Sequence, residues 1–205
     1  MPPDHLSPYL PLLPPEQMIP RIAAILPAAG LSRRMGQPKL LLSLGGRSVI
    51  SRVIESLRTS GISPIVVVVR ADDVALMREV QSLGVTLVQP VPAPPQMRDS
   101  VQAALHYLQH DLGDGDGWML IPADHPCLQG NVIRQIARRW LLHPEKIVIP
   151  AHHGRRGHPT LFPWSIASEV FTLSPDQGLN AIVRARPDRV DEIEVDSPEI
   201  LVDLD

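Results

Sequence analysis

Between Ile25 and Leu41 the chain reads "ILPAAGLSRRMGQPKLL". An apolar run ends at Leu26, then Pro27, Ala28, Ala29 and Gly30 lead into Ser32, Arg33, Arg34, Gly36 and Lys39. Small residues let backbone N–H groups approach an anion with no Cβ atom in the way. Arg34 can meet phosphate as a planar fork and Lys39 as a point charge. These residue types suit the neutralisation of a polyphosphate. Two familiar phosphate loops are excluded by spacing. A P-loop has four residues between its glycines and a lysine directly after the second. Here five residues separate Gly30 from Gly36, Lys39 lies three further on, and no GxGxxG string occurs. The spacing alone also admits a glycine turn with solvated cations.

Other chemistry-bearing residues are weaker signals. His152, His153 and His158 match no common zinc spacing and have no cysteine pair beside them. Arg155 and Arg156 either meet an anionic phosphate or decorate a solvated loop. Cys127 has no requirement for a thiol attached to it and reads as a small buried hydrophobe. Asp203 and Asp205, two apart, share one face if they lie on a strand. The plain alternative is a frayed acidic end.

Composition limits the function classes. The chain has 205 residues, a net charge of -3 and 44% hydrophobic residues, which fits one soluble globular domain without a nucleic-acid-binding surface. The longest aliphatic run, Ile65 to Val69, is too short to span a bilayer. A single cysteine excludes an internal disulfide framework and points to a reducing, cytoplasmic setting. Residues 1–20 contain seven prolines and read as an extended or disordered arm, leaving residues 21–205 as the folded domain.

The elements that must position the loop follow from periodicity. Ile22–Leu26, Ile65–Val69, Val85–Val88, Trp118–Ile121 and Lys146–Ile149 read as strands. Helices are expected over Ser48–Thr59, from a cap at Asp72 or Asp73 to about Leu83, from Asp99 or Ser100 to Leu108, and over Asn131–Leu142. "AHHGRRGHPTLF" reads as a polar loop running into an apolar segment, with a short helix over Leu179–Arg184 and a half-exposed strand over Val190–Val195. Strand-helix alternation specifies an α/β domain with a mostly parallel sheet and a mixed or antiparallel addition. In such sheets ligands bind beyond the carboxyl ends of the strands, where the Gly30 loop falls.

The string Ala28-Ala29-Gly30-Leu31-Ser32-Arg33-Arg34-Met35-Gly36-Gln37-Pro38-Lys39 resembles the signature loop of Rossmann-like nucleotidyltransferases. It is most similar to the MobA-like NTP transferases, which include the molybdenum cofactor cytidylyl- and guanylyltransferases. "IPADHP" resembles the family's strand-end D-x-P, "GRRGHPTLF" its G-x-x-G-H-P segment, and "ILVDLD" the D-x-D that runs into T-P-x-D and a final helix. The resemblance implies a three-layer α/β/α domain of the nucleotide-diphospho-sugar transferase type. It assigns phosphate contacts to Arg34 and Lys39, and nucleotide contacts to Pro27, Ala28, Ala29, Gly30, Ser32, Gly36 and Ser100. It assigns a metal to Asp124 with Asp205 or Asp203, and the acceptor side to Gly157, His158 and Pro159. Three features depart from the family: Met97 stands near a usual glycine in "PPQMRDSV", His125 stands where a bulky apolar residue is frequent, and the sequence reaches Asp205 without T-P-x-D.

The implied reaction moves a nucleoside monophosphate from an NTP, taken as CTP, to a phosphorylated acceptor with Mg²⁺ and release of pyrophosphate. Molybdopterin cofactor is the expected acceptor, with a molybdoenzyme or its chaperone as a protein partner. Sugar or polyol phosphates, or a nucleotide-binding module without turnover, are the alternatives.

Overall fold

The computed structural model describes residues 20–30 and 38–204. The proline-rich arm up to Ile19, and Ser32, Arg33, Arg34, Gly36 and Asp205, lie outside the described residues.

Ten strands and six α-helices follow one another in the described residues. The chain enters through β1 (Ile22–Pro27), the small hairpin β2 (Ser43–Leu44) and β3 (Arg47–Ser48), and α1 (Val49–Thr59). It continues through β4 (Ile65–Val68), α2 (Val74–Ser82), β5 (Thr86–Val88), α3 (Met97–Leu108) and β6 (Gly117–Leu120). The second half holds α4 (Gly130–Leu142), β7 (Ile147–His152), β8 (Arg155–Arg156), β9 (Thr160–Pro163), α5 (Ala167–Val170), α6 (Asn180–Ala185) and β10 (Val190–Glu194).

The main sheet runs β10-β7-β9-β6-β1-β4-β5, with β8 hydrogen-bonded to the free end of β7. β1, β4, β5, β6, β7 and β10 run in one direction, and β9 is antiparallel to both β6 and β7. Alternation on the central strands builds two cores. Ala24, Leu26, Ile65 and Val67 pack with α1, α2 and α4, whereas Ala23, Ile25, Val66 and Val68 pack with α3, α5 and α6. A strand covered on both faces has no polar side to show, which is why β4 reads Ile-Val-Val-Val. The expected three-layer α/β architecture is therefore the observed one.

Two local devices fix the amino-terminal edge of the sheet, opposite the carboxyl ends of the strands. The Asp116 carboxylate accepts from the N–H groups of Arg21 (2.9 Å) and Gly113 (3.1 Å), tying the start of β1 to that of β6. Gly117 leaves room for Trp140 of α4, whose ring would stand 2.9 Å from a Cβ at that position.

Several expectations are corrected. α3 begins at Met97, because Asp99 acts from inside the helix, accepting from the Gln96 N–H at 3.1 Å. β7 extends to His152, and the supposed polar loop is a hairpin that turns on His153 (φ 50°) and Gly154 (φ 73°). No strand carries Asp203. Beyond β10 a 3₁₀ turn spans Pro198–Leu201, and the next N–H groups bond elsewhere, Val202 to Glu199 and Leu204 to Asp124. Cys127 is exposed rather than buried.

Candidate active site

β1 delivers its last residues to the carboxyl edge of the sheet. Pro27 has no N–H, and the Ala28 N–H donates to the Val68 carbonyl at 2.9 Å. Those two residues therefore offer an anion no main-chain donor, which narrows the expected cradle to Ala29 and Gly30 among the described residues. A Cβ at Gly30 would meet no atom of the described residues within 4 Å.

Lys39 opens a 3₁₀ turn that is anchored by the buried Leu40. Its Nζ donates to Asp124 Oδ2 at 2.6 Å and to the Leu204 carbonyl at 2.8 Å. Asp124 stands four residues past β6, after Ile121 has extended the pairing by donating to the Ile25 carbonyl. Both side chains keep a wet edge, 23% exposed for Lys39 and 20% for Asp124. The structure thus joins two residues 85 positions apart that the sequence assigned separately to phosphate and metal.

The acceptor-side segment lies against the same turn. The His125 and His158 rings meet edge to face, with centroids 5.5 Å apart. Both Nδ1 atoms are buried without a hydrogen-bond partner among the described residues. Burial pushes His158 down to about 4, the neighbouring His125 ring adds to this, and Asp124 and Asp203 oppose it. Burial also holds His125 below the ordinary imidazole value, against the pull of Asp124 and Asp203. The pair is therefore neutral near pH 7. His158 donates its N–H to the Ile200 carbonyl at 2.9 Å, and Gly157 fits beneath that carbonyl, which a Cβ would approach to 2.4 Å.

The remaining candidates are placed less centrally. Ser100 is buried in the first turn of α3, and no hydrogen bond links it to Lys39 or Asp124. Asp203 is exposed beside Leu204, and its charge reaches both histidines. Arg155 and Arg156 lie on exposed β8, where Arg156 pairs with Glu192. His152 donates from Nδ1 to the Val195 carbonyl. Sequence reasoning missed the Leu204 carbonyl, which has no side-chain signature, and the role of His125, whose only signal was its departure from the family pattern.

The fit of a divalent ion can be judged from the donors present. Among the described residues no three His, Cys, Asp or Glu side chains gather into a metal cluster. Mg²⁺ needs fewer, since it is commonly held by one or two carboxylates together with substrate phosphates and water. Asp124 supplies one hard carboxylate, and the Lys39 ammonium against it shows that the spot accommodates a cation. The residues present fit such an ion.

A mostly parallel sheet covered by helices on both faces, with a cation-carboxylate pair at its carboxyl edge, defines an α/β protein of the three-layer class. The family profile for the MobA-like NTP transferase domain matches residues 24–190, and the chain belongs to that family. Among curated relatives, 2-C-methyl-D-erythritol 4-phosphate cytidylyltransferase of Shewanella frigidimarina is 33% identical over 134 residues, 63% of this chain and 56% of that protein. Molybdenum cofactor guanylyltransferase of Rhizobium meliloti is 63% identical, but over 35 residues, 17% of this chain and 16% of that one. The chain spans about half the length of the curated cytidylyltransferases it matches.

The crystal structure of Rv0371c from Mycobacterium tuberculosis superposes with a TM-score of 0.73 at 22% identity, over 91% of this chain and 94% of that one. Its manganese complex gives 0.68 at 21%, over 91% and 93%. The fold is shared with these structures. The preference for molybdenum cofactor as acceptor is not supported by the broader matches, which are to cytidylyltransferases named for a polyol phosphate.

Proposed function

We propose that the protein transfers a nucleoside monophosphate, from CTP as the favoured donor, to the phosphate of a small sugar or polyol phosphate. An acceptor phosphate oxygen attacks the α-phosphorus, the bond to the β-phosphate oxygen breaks, and pyrophosphate leaves. The observation that carries this reading is the meeting of Lys39 and Asp124 at 2.6 Å, at the carboxyl edge of β1 and β6, with His158 alongside.

Such a reaction needs alignment and charge neutralisation more than covalent help. The N–H groups of Ala29 and Gly30 with Arg34 and Lys39 meet the triphosphate, while Ser32, Gly36 and Ser100 complete the nucleotide side. Asp124, with Asp203 or Asp205, would hold the divalent ion. When bound, that ion would neutralise charge on the α- and β-phosphates. Gly157, His158 and Pro159 shape the acceptor pocket. The depressed His158 keeps that wall uncharged, so it orients an acceptor by shape and hydrogen bonding rather than by charge.

The test is pyrophosphate release with CTP, GTP, UTP and ATP, each with Mg²⁺ or Mn²⁺. Acceptors are 2-C-methyl-D-erythritol 4-phosphate, other sugar and polyol phosphates, and molybdopterin cofactor. Release that depends on CTP and a polyol phosphate is the expected result. Release with molybdopterin alone would install the second reading, which the short 63% identical stretch favours. Nucleotide binding with no release across the set would make the protein a binding module.

A further inference from the structure

Lys39 has three N–H donors, and two of them are spent on Asp124 Oδ2 and the Leu204 carbonyl. Both acceptors are hard oxygens, one carrying a full charge, and they belong to segments far apart in the chain. Leu204 is itself fixed, because its N–H donates to the Asp124 carbonyl at 3.1 Å. The ammonium therefore sits in a preformed two-oxygen seat and not on a swinging surface carboxylate. A divalent ion on Asp124 would share this seat with a like charge at hydrogen-bond distance, where repulsion is strong in a partly desolvated site. With two of its three donors committed here, the ammonium has one left for a triphosphate.

The geometry points to Lys39 as the resident counter-ion of Asp124, an internal cation that a divalent ion must displace before it can bind. This inference rests on the metal role of Asp124 proposed above. With no nucleotide present, Lys39 holds the aspartate and opposes metal binding. An incoming triphosphate draws the ammonium away, so nucleotide and metal strengthen each other's binding through one side chain, as linkage requires.

The experiment titrates Mn²⁺ alone into the full chain without nucleotide, following loss of the free-ion electron spin resonance signal. Lys39→Met is expected to bind Mn²⁺ about tenfold or more tightly than the parent. Lys39→Gln, which keeps a donor for the Leu204 carbonyl but no charge, is expected to show the same gain. Asp124→Asn combined with Lys39→Met should abolish it. Unchanged or weaker Mn²⁺ binding in Lys39→Met overturns the inference, and so does tightening in the Met variant but not the Gln variant. Tight Mn²⁺ binding that survives Asp124→Asn shows instead that the metal reading of Asp124 itself is wrong.

Discussion

Asp124 carries one negative charge to the end of β6, and an ammonium waits 2.6 Å from it. In the proposed reaction it acts as a metal ligand or as the anchor of Lys39, holding the cation that balances a triphosphate. Asp124→Ala is expected to lower turnover about a hundredfold or more, the scale on which a charge-stabilising element acts. Near-normal pyrophosphate release by that variant would remove the aspartate from the mechanism. His158 gives a second handle at this scale. Folded, it binds a proton only near pH 4 because it is buried, whereas in the unfolded chain it does so near 6.5. The unfolded state therefore holds more protons between those values. Stability contributed by the neutral ring is complete above about pH 6.5 and is lost as pH falls toward 4. Melting temperature is expected to drop across that window, and a His158→Asn chain to drop less steeply. Parallel slopes for the two chains would count against a buried neutral ring.

At the scale of elements, Gly157 is the described glycine with the least room for a side chain. A Cβ there would approach the Ile200 carbonyl to 2.4 Å, and that main-chain group has no rotamer to retreat into. Gly157→Ala is expected to cost about 1–3 kcal/mol in urea unfolding. Gly178→Ala, with nothing within 4 Å, serves as the neutral control. The contrast bears on what the sequence could reveal. β1, β4, α1 and α2 were legible because their signals are local: a β-branched run, one apolar face, and Asp73 capping by accepting from the Leu76 N–H. The start of α3 was misread because an acidic residue at the third helical position looks like a cap, which sets the start about one turn too late. The β7–β8 turn was missed because it places His153, and not a second glycine, at positive φ. In the site, residue types disclosed Lys39 and Asp124 one at a time. Their pairing is a property of the sheet, which brings the ends of β1 and β6 together. The Leu204 contribution is a carbonyl, identical for every residue type, so no pattern could announce it.

The whole molecule divides by strand direction. β5, β4, β1 and β6 are parallel, while reversed β9 inserts between β6 and β7 and brings Gly157, His158 and Pro159, the proposed acceptor side, to the edge. The chain after β10 then crosses back over this junction. Val195 donates to the Ala151 carbonyl, the Ile200 carbonyl accepts from His158, and Leu204 bonds the backbone of Asp124. One segment thus touches β7, the acceptor loop and the proposed metal ligand, and it is pinned by Ile200, which has no exposed surface. Ile200→Ala removes the pin and leaves the sheet hydrogen bonds in place. It is expected to cost about 2–5 kcal/mol, the range for truncating a buried isoleucine. If the segment only closes the core, kinetics at a temperature well below melting stay unchanged. If it aligns the acceptor loop with Asp124, kcat falls and the acceptor KM rises, while the nucleotide KM, set on the β1 side, moves least. Steady-state kinetics with each substrate varied in turn separates these cases, because well below melting a purely structural loss leaves kcat and both KM values alone.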